Sequence, residues 1–340
     1  MNLLEYIARR IFFSIFVLLA VLVITFTLSH FISSDPIVAW LGRNATLHPG
    51  LAAYYSNKFH FNDPLYVQFY YYLIGLSQGQ LGYSPSRGFI PVIQVLQMTI
   101  PYTLQIAFFA YIFALVIGIS LGVLASRYNH TPVDGAIRAF YLGAASSPAF
   151  FIALLVLIIF AFTLGWFPSG NAFGTNVFQP TAITHIPMLD SLLEGNFEYF
   201  WSALDHVFLP SLTLAIVTFG ILTRVLRASM LDVMQANYIR TARAKGLSEG
   251  AVFYRHGLRN AFIPLVTLST LLIIGLITGT IFVENIFSYP GLGQYVVQAL
   301  EGQDYPGILS TTLIFAIVIV GANLLADIFY ALVDPQIRLG

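Results

Sequence analysis

The sequence contains no cysteine and little charge of either sign. Only 9% of its 340 residues are charged and 58% are hydrophobic, whereas a soluble domain carries about 25% charged residues. Without cysteine, disulfides, thiolate nucleophiles and Cys-based metal sites are excluded. The deficit of charge is too large for a soluble core of this size and indicates a chain whose solvent is largely lipid. The formal net charge of zero gives no reason to expect nucleic-acid binding.

Several functional signatures are also missing. The chain has no Gly-x-x-x-x-Gly-Lys-Ser/Thr loop, so it cannot cradle ATP phosphates itself, and no His-Glu-x-x-His metalloprotease motif. Its 7 histidines are scattered, and no pair has the spacing of a metal site. We therefore expect no metal or cofactor on this chain, and we regard an intramembrane enzyme as a weak alternative.

Long apolar runs dominate what is present. A spanning helix needs roughly 20 apolar residues. Runs of about that length without Asp, Glu, Lys or Arg cover residues 11–30, 103–126, 139–165, 207–223, 260–283 and 305–326. They predict an all-α polytopic membrane protein with six transmembrane helices. A signal peptide is the alternative for the first run. The run is long for that role, and no Ala-x-Ala cleavage pattern follows it, which favours a retained helix.

Basic residues predict the orientation, because cytoplasmic loops carry an excess of Lys and Arg. With both termini cytoplasmic, all but three of the 15 Lys and Arg residues lie inside. The exceptions are Arg43, Lys58 and Arg87, although the outer loops are the longer ones. We therefore divide the chain into an N-terminal tail and first span (1–31), an extracytoplasmic segment (32–101) and a five-helix core (102–340).

The extracytoplasmic segment is too long to be a mere connection. It contains a tyrosine-rich stretch at 66–72, and aromatic rings with polar tips suit a surface that is alternately wet and covered. We predict that residues 44–87 form an ordered lid with short helices over the outer mouth of a pathway. The alternative is an ordered loop that only packs on the helix ends.

The longest cytoplasmic segment, residues 224–259, is basic. Good helix formers end with Arg243 and Lys245 before Gly246, and cations suit a helix C-terminus while Gly suits the position after it. Ser248 can then cap a second short helix. The pattern predicts a helix–Gly–helix element that presents a surface to a soluble partner. The alternative is an anchor that lies on anionic headgroups.

At this segment the sequence resembles a known family. Residues 238–247 (Tyr-Ile-Arg-Thr-Ala-Arg-Ala-Lys-Gly-Leu), followed by 255–261 (Arg-His-Gly-Leu-Arg-Asn-Ala), are similar to the conserved cytoplasmic loop of dipeptide/oligopeptide/nickel permeases of ABC importers. Arg240 stands where other importer families have Glu. The resemblance extends along nearly the whole chain, through Asp63-Pro64-Leu65, the Gly-Gln-Leu-Gly element at 79–82, Pro290-Gly-Leu-Gly and Asp334-Pro335.

The resemblance implies an ABC type I importer permease fold and a subunit of a five-part importer in a prokaryotic cytoplasmic membrane. A homologous second permease, two ATPase subunits that bind ATP-Mg, and an extracytoplasmic solute-binding protein would be its partners. ATP hydrolysis would lie on the ATPases, so the chain itself would not be an enzyme. The residues implied in coupling to an ATPase are Arg240, Thr241, Ala242, Arg243, Lys245, Gly246, Leu247, Arg255 and His256.

Candidates for the translocation path or its gate come from residues that shape helices in the membrane. Pro148, next to Ser147, and Pro264 can kink spans and leave carbonyls facing a pore. Gly275 and Gly279 are one turn apart, like Gly118 and Gly122, and small residues at this spacing allow close helix approach. For these glycines we favour packing over sliding surfaces.

Acidic residues at the ends of spans are the last candidates. Glu284 and Asp327 fall at opposite ends of their runs, where interfacial capping or packing is favoured over a pathway role.

Alternatives remain for the transported substrate and the mechanism. Members of the resembling family carry dipeptides, oligopeptides, nickel chelates or oligosaccharides, and we favour short peptides. A secondary carrier or channel is the alternative of another class. It is disfavoured because ion-coupled carriers usually place ionisable groups near the middle of the membrane, and the runs contain none there.

Overall fold

The computed structural model describes residues 3–32, 37, 47 and 49–333, and most of these residues are helical. Arg43 and the Asp334-Pro335 element lie outside the described residues. The helices are α1 (Leu3–Ile32), α2 (Pro49–Phe59), α3 (Leu65–Ser77), α4 (Val92–Arg127), α5 (Pro132–Ser146), α6 (Ala149–Val156), α7 (Pro187–Glu194), α8 (Phe197–Met234), α9 (Asn237–Ala244), α10 (Arg259–Ala261), α11 (Ile263–Ile286), α12 (Leu292–Glu301) and α13 (Tyr305–Val333).

Five of the helices, α1, α4, α8, α11 and α13, are each long and apolar enough to cross a membrane. They coincide with five of the six predicted runs. The run at 139–165 differs, because it is divided between α5 and a second helical stretch, in which α6 is continued by a π-helix (Leu157–Thr163). The two parts meet at an angle of 111°. At the break Ser147 is extended, with φ −90° and ψ 137°. The cause is Pro148, which disfavours helical backbone in the preceding residue and lacks an N–H.

Helices α4 and α8 form the centre of the bundle and pack closely. A Cβ atom on Gly118 would lie 2.7 Å from the Leu222 Cβ, and one on Gly122 would lie 3.0 Å from the Leu226 Cβ. Both glycines therefore lie where the two helices pack closely, as the packing role favoured for them requires. The same residues give Gly118-Ile-Ser-Leu-Gly122 the Gly-x-Ser-x-Gly spacing of a hydrolase elbow. That motif requires a strand-to-helix turn, whereas this stretch lies inside the continuous helix α4.

Most of the segment after α1 folds into a small unit that packs on the outer ends of two spans. Helices α2 and α3 are followed by a two-stranded hairpin, β1 (Tyr83–Ser84) and β2 (Ile90–Pro91), paired antiparallel with Ser84 opposite Ile90. Buried Phe26 of α1 and Tyr305 of α13 form one cluster with Phe69 and Tyr72 of α3. The short helices predicted within 44–87 are therefore present from residue 49 onwards, and of 44–48 only Leu47 is described.

The tyrosine-rich stretch of α3 is divided between two faces. Tyr72 points inward and its ring lies 5.6 Å from that of Phe26, whereas Tyr66 and Tyr70 are 75% and 61% exposed. Gln68, also turned inward, lies 3.0 Å from the His30 imidazole. One face of α3 thus fixes the unit to the bundle, and the other leaves aromatic rings with polar tips on the surface.

Candidate functional site

The segment predicted to couple to an ATPase forms a helix with one buried face. Ile239 and Ala242 of α9 are 0% and 6% exposed and pack with Val252 against Met234 and Ala236. This small cluster fixes α9 to the end of α8, from which it is separated by two residues. A movement of α9 therefore has to displace α8 as well.

Gly246 ends this helix in the left-handed conformation. Its φ is +77°, its N–H donates to the Arg243 carbonyl at 2.9 Å, and the Leu247 N–H donates to the Ala242 carbonyl at 3.4 Å. These bonds satisfy carbonyls at the helix C-terminus. Gly246 thus follows the end of the helix, as the sequence predicts.

The opposite face of the segment is open to solvent and basic. The exposed members of the predicted coupling set are Arg240, Thr241, Arg243, Lys245, Gly246, Leu247 and Arg255, whereas Ala242 is buried and His256 is half-buried. Arg243 pairs with Glu249 at 2.9 Å and 3.3 Å. Most of the predicted set is therefore exposed, with Ala242 as its buried packing residue.

The second half of the coupling segment differs from an ordinary helix. Residues Ala251–Leu258 are wound as a π-helix, a rare geometry that is frequent at functional sites. The Ala251 N–H lies 3.4 Å from the Ser248 hydroxyl, at the cap predicted from the sequence. This winding leads through α10 into α11, so the segment connects two spans, α8 and α11, near their predicted cytoplasmic ends.

A large apolar groove lies between α4, α7 and α11. Its volume is about 690 Å³, and its lining includes Leu104, Gln105, Phe108, Met188 and Ile277. We call it the outer groove, because α7 belongs to the outer loop and α4 enters from the outer side under the predicted topology. Gln105 is the one amide side chain in this lining, and the sequence analysis did not single it out.

The predicted pathway residues occupy different environments. Gly275 is exposed on α11 and lies in sequence between two groove residues, Ile273 and Ile277. A Cβ atom on Gly275 would meet nothing within 4 Å. On Gly279 a Cβ atom would lie 3.2 Å from Leu214. Pro264 sits in the first turn of α11, where proline is tolerated.

Ser147 and Pro148 form the bend between α5 and α6. They are the pathway candidates from the third span. Ser147 donates to the Gly143 carbonyl at 2.9 Å. This hydroxyl therefore caps a carbonyl at the end of α5, where the proline prevents the helix from continuing.

Glu284 is fully buried at the outer end of α11. Its carboxylate accepts hydrogen bonds from the Thr103 hydroxyl at 2.7 Å and from the Gln294 N–H at 3.0 Å. The Thr103 hydroxyl oxygen in turn accepts the Leu292 N–H at 2.7 Å. The residue thus joins α4, α11 and the start of α12, in agreement with the packing role favoured for it. The side chain of Asp327 lies outside the described residues.

Two family models together match almost the whole chain. Residues 114–339 match the family described as binding-protein-dependent transport system inner membrane component. Residues 3–107 match the N-terminal region of such membrane components. This chain belongs to that family.

Relatives of this permease family are similar along almost the whole chain. The probable D,D-dipeptide transport system permease protein DdpB of Escherichia coli is 37% identical over 96% of this chain and 95% of its own length. The oligopeptide transport system permease protein AppB of Bacillus subtilis is 35% identical over 98% and 99%. The similarity to these permeases therefore extends over nearly the whole chain.

A solved structure shows the same fold. The membrane subunit matched in inward-facing MetNI, a methionine ABC transporter, superposes with a TM-score of 0.53 at 16% identity, over 71% of this chain and 97% of that one. The chain thus has the fold of an ABC type I importer permease.

Proposed function

We propose that this chain is the translocation subunit of an ATP-driven importer for short peptides in a prokaryotic cytoplasmic membrane. The observation that carries the proposal is the exposed basic surface of α9, ended by Gly246 with φ +77°, on a chain similar over its length to permeases named for peptides. Helix α9 would dock on one of two ATPase subunits, and ATP-Mg would bind to those subunits rather than to this chain.

Two further partners belong to the proposal. A homologous second permease would complete the pathway on the open side of α4 and α11, where Leu104 and Phe108 are 46% and 59% exposed. An extracytoplasmic solute-binding protein would deliver the peptide. The exposed Tyr66 and Tyr70 of the outer unit offer amphipathic aromatic contacts for that protein or for the arriving peptide, which is the lid role predicted for residues 44–87.

The test is uptake by the complete transporter. Both permeases and both ATPases are reconstituted in proteoliposomes, with the solute-binding protein added on the outer side. We expect ATP-dependent accumulation of labelled di- and tripeptides and stimulation of ATP hydrolysis by peptide-loaded binding protein. Accumulation of an oligosaccharide or a nickel chelate instead of peptides would reassign the substrate. Accumulation without ATP would contradict the importer mechanism and favour a secondary carrier.

The lid proposal has its own experiment in the same system. Replacement of residues 49–87 by a Gly/Ser linker should leave the permease bound to its ATPases but impair stimulation by loaded binding protein. Unchanged uptake rate and apparent affinity would show that the segment is only a connector.

A further inference from the structure

The outer groove contains one polar group whose hydrogen bonding is incomplete. Gln105 is 7% exposed, and its Nε2 lies 3.8 Å from the Met188 sulfur, which is a weak acceptor. Its Oε1 is buried and has no hydrogen-bond partner. A buried acceptor left unsatisfied is destabilising, so a ligand that reaches Gln105 with a hydrogen-bond donor would be stabilised there.

Apart from Gln105 and Tyr111, the lining side chains of the groove are apolar. Leu104 and Phe108 of α4, Met188 and Leu192 of α7 and Ile277 of α11 contribute to its walls. A volume of about 690 Å³ falls within the ~300–1,000 Å³ that is typical of ligand sites. A cavity of about 150 Å³ already holds benzene, so the groove has room for an apolar side chain together with backbone.

The unsatisfied acceptor discriminates between the possible occupants. A lipid acyl chain fits the apolar walls but carries no donor. A helix of the second permease also fits, but its interior backbone N–H groups are already bonded to its own carbonyls, so it could satisfy Gln105 only through a polar side chain. A short peptide in extended conformation has a free backbone N–H beside an apolar side chain, and so it satisfies both features of the groove.

We propose that the outer groove is a subsite for the transported peptide, in which an apolar side chain contacts the groove walls and Gln105 Oε1 accepts the peptide N–H. This inference rests on the proposed function and adds a substrate preference, for peptides with apolar residues. Apolar contact is non-directional, so the subsite accepts different apolar side chains while the single hydrogen bond orients the backbone. Such a site suits a pathway that must also release its substrate.

The test removes the hydrogen bond from each side in turn. The complete transporter in proteoliposomes is supplied with dileucine or with dileucine methylated at its peptide nitrogen. Each peptide is used at a concentration that saturates the solute-binding protein, and this saturation is measured separately. Wild type should transport dileucine about tenfold faster than the methylated peptide, since tenfold corresponds to about 1.4 kcal/mol and one hydrogen bond contributes on that order. In Gln105→Met the two rates should be equal. Gln97→Met, exposed on the same helix and outside the groove lining, should keep the wild-type ratio.

A second variant tests the groove walls. Leu104→Trp, at a half-exposed position, adds bulk at the open side of the groove. It should slow dileucine uptake several-fold relative to diglycine, while the second permease still co-purifies. Loss of co-purification would show that the groove is an interface between permeases. An unchanged dileucine/diglycine ratio would show that the transported peptide does not enter the groove.

The outcomes separate this inference from the proposed function. If Gln105→Met retains the wild-type discrimination against the methylated peptide, the subsite is overturned although peptide import stands. If the wild-type transporter accumulates no peptide, the proposed function itself fails and the subsite fails with it.

Discussion

Arg227 of α8 pairs with Asp134 of α5 through two hydrogen bonds. Its Nε donates to Asp134 Oδ1 at 2.7 Å and its Nη2 donates to Oδ2 at 2.8 Å, while Nη2 also lies 2.8 Å from Asn129 Oδ1. Asp134 is 0% and Arg227 18% exposed. Bidentate pairs of this type are stronger and more directional than single hydrogen bonds. The pair fixes the start of the bent third span to α8 close to the coupling segment.

Breaking this pair should destabilise the permease. Asp134→Ala leaves a largely buried guanidinium without its carboxylate, which costs about 1–3 kcal/mol or more. Thermal unfolding of the detergent-solubilised transporter should show a lower midpoint. Arg138→Ala is the control, because Arg138 is 48% exposed and 3.6 Å from Asp134, and exposed pairs contribute about 0–1 kcal/mol. The exchange of both residues, Asp134→Arg with Arg227→Asp, should recover part of the loss. Equal midpoints for the two single variants would contradict the assignment.

The predicted topology can be tested by thiol labelling, because the wild type lacks cysteine. Asn57→Cys and Thr175→Cys, both at exposed positions, should react with an impermeant maleimide added to intact cells. Gln235→Cys, exposed at the end of α8, should react only after the membrane is opened. The reverse pattern would invert the orientation.

Gly246→Val should uncouple ATP hydrolysis from transport. A β-branched residue is a genuine outlier at positive φ, so the end of α9 must rearrange, although a Cβ atom itself would meet nothing within 4 Å. We expect normal membrane insertion with loss of uptake and of substrate-stimulated ATP hydrolysis. Gly250→Val is the matched control, since Gly250 also has open space around it but has φ −63°. Full uptake by Gly246→Val would rule out this role for the glycine.

Gly118→Leu should separate α4 from α8. The added side chain would collide with Leu222, whose Cβ is only 2.7 Å from a Cβ atom at this position, and overpacking costs about 1–3 kcal/mol. A lower unfolding midpoint and reduced yield of folded protein are expected. Gly143→Leu, where nothing lies within 4 Å, should change neither. Equal effects of the two variants would show that the α4–α8 contact tolerates bulk.

Asp304→Asn should loosen the hairpin from the bundle. The buried carboxylate accepts hydrogen bonds from the Ser84 hydroxyl and, at 2.7 Å, from the Ser86 hydroxyl, and it also accepts the Gly307 N–H at 2.8 Å. Hydrogen exchange in residues 83–91 should become faster. Asp205→Asn, at an exposed position, should leave that exchange unchanged. If exchange stays slow in Asp304→Asn, apolar packing alone holds the hairpin.

Local sequence patterns were sufficient to predict most of the spans and the end of α9. Charge-free runs predicted the spans, because a helix in lipid must be apolar along its length and forms its backbone hydrogen bonds within itself. The basic stretch followed by Gly246 predicted where α9 ends, because the backbone conformation at a helix end depends on a few adjacent residues. Pro148 predicts a kink in the third span, but it does not predict that the bend reaches 111°.

The sequence by itself thus determined which segments are apolar enough to span the membrane and which segment is basic. Only the tertiary structure decided which buried polar residues are satisfied. Thr103 bonds to Glu284, 181 residues away, and Asp134 bonds to Arg227, 93 residues away. Gln105, the one amide in the run 103–126, lacks a partner for its Oε1. Partners so distant in sequence leave no local pattern, because the packing of whole helices sets their distance.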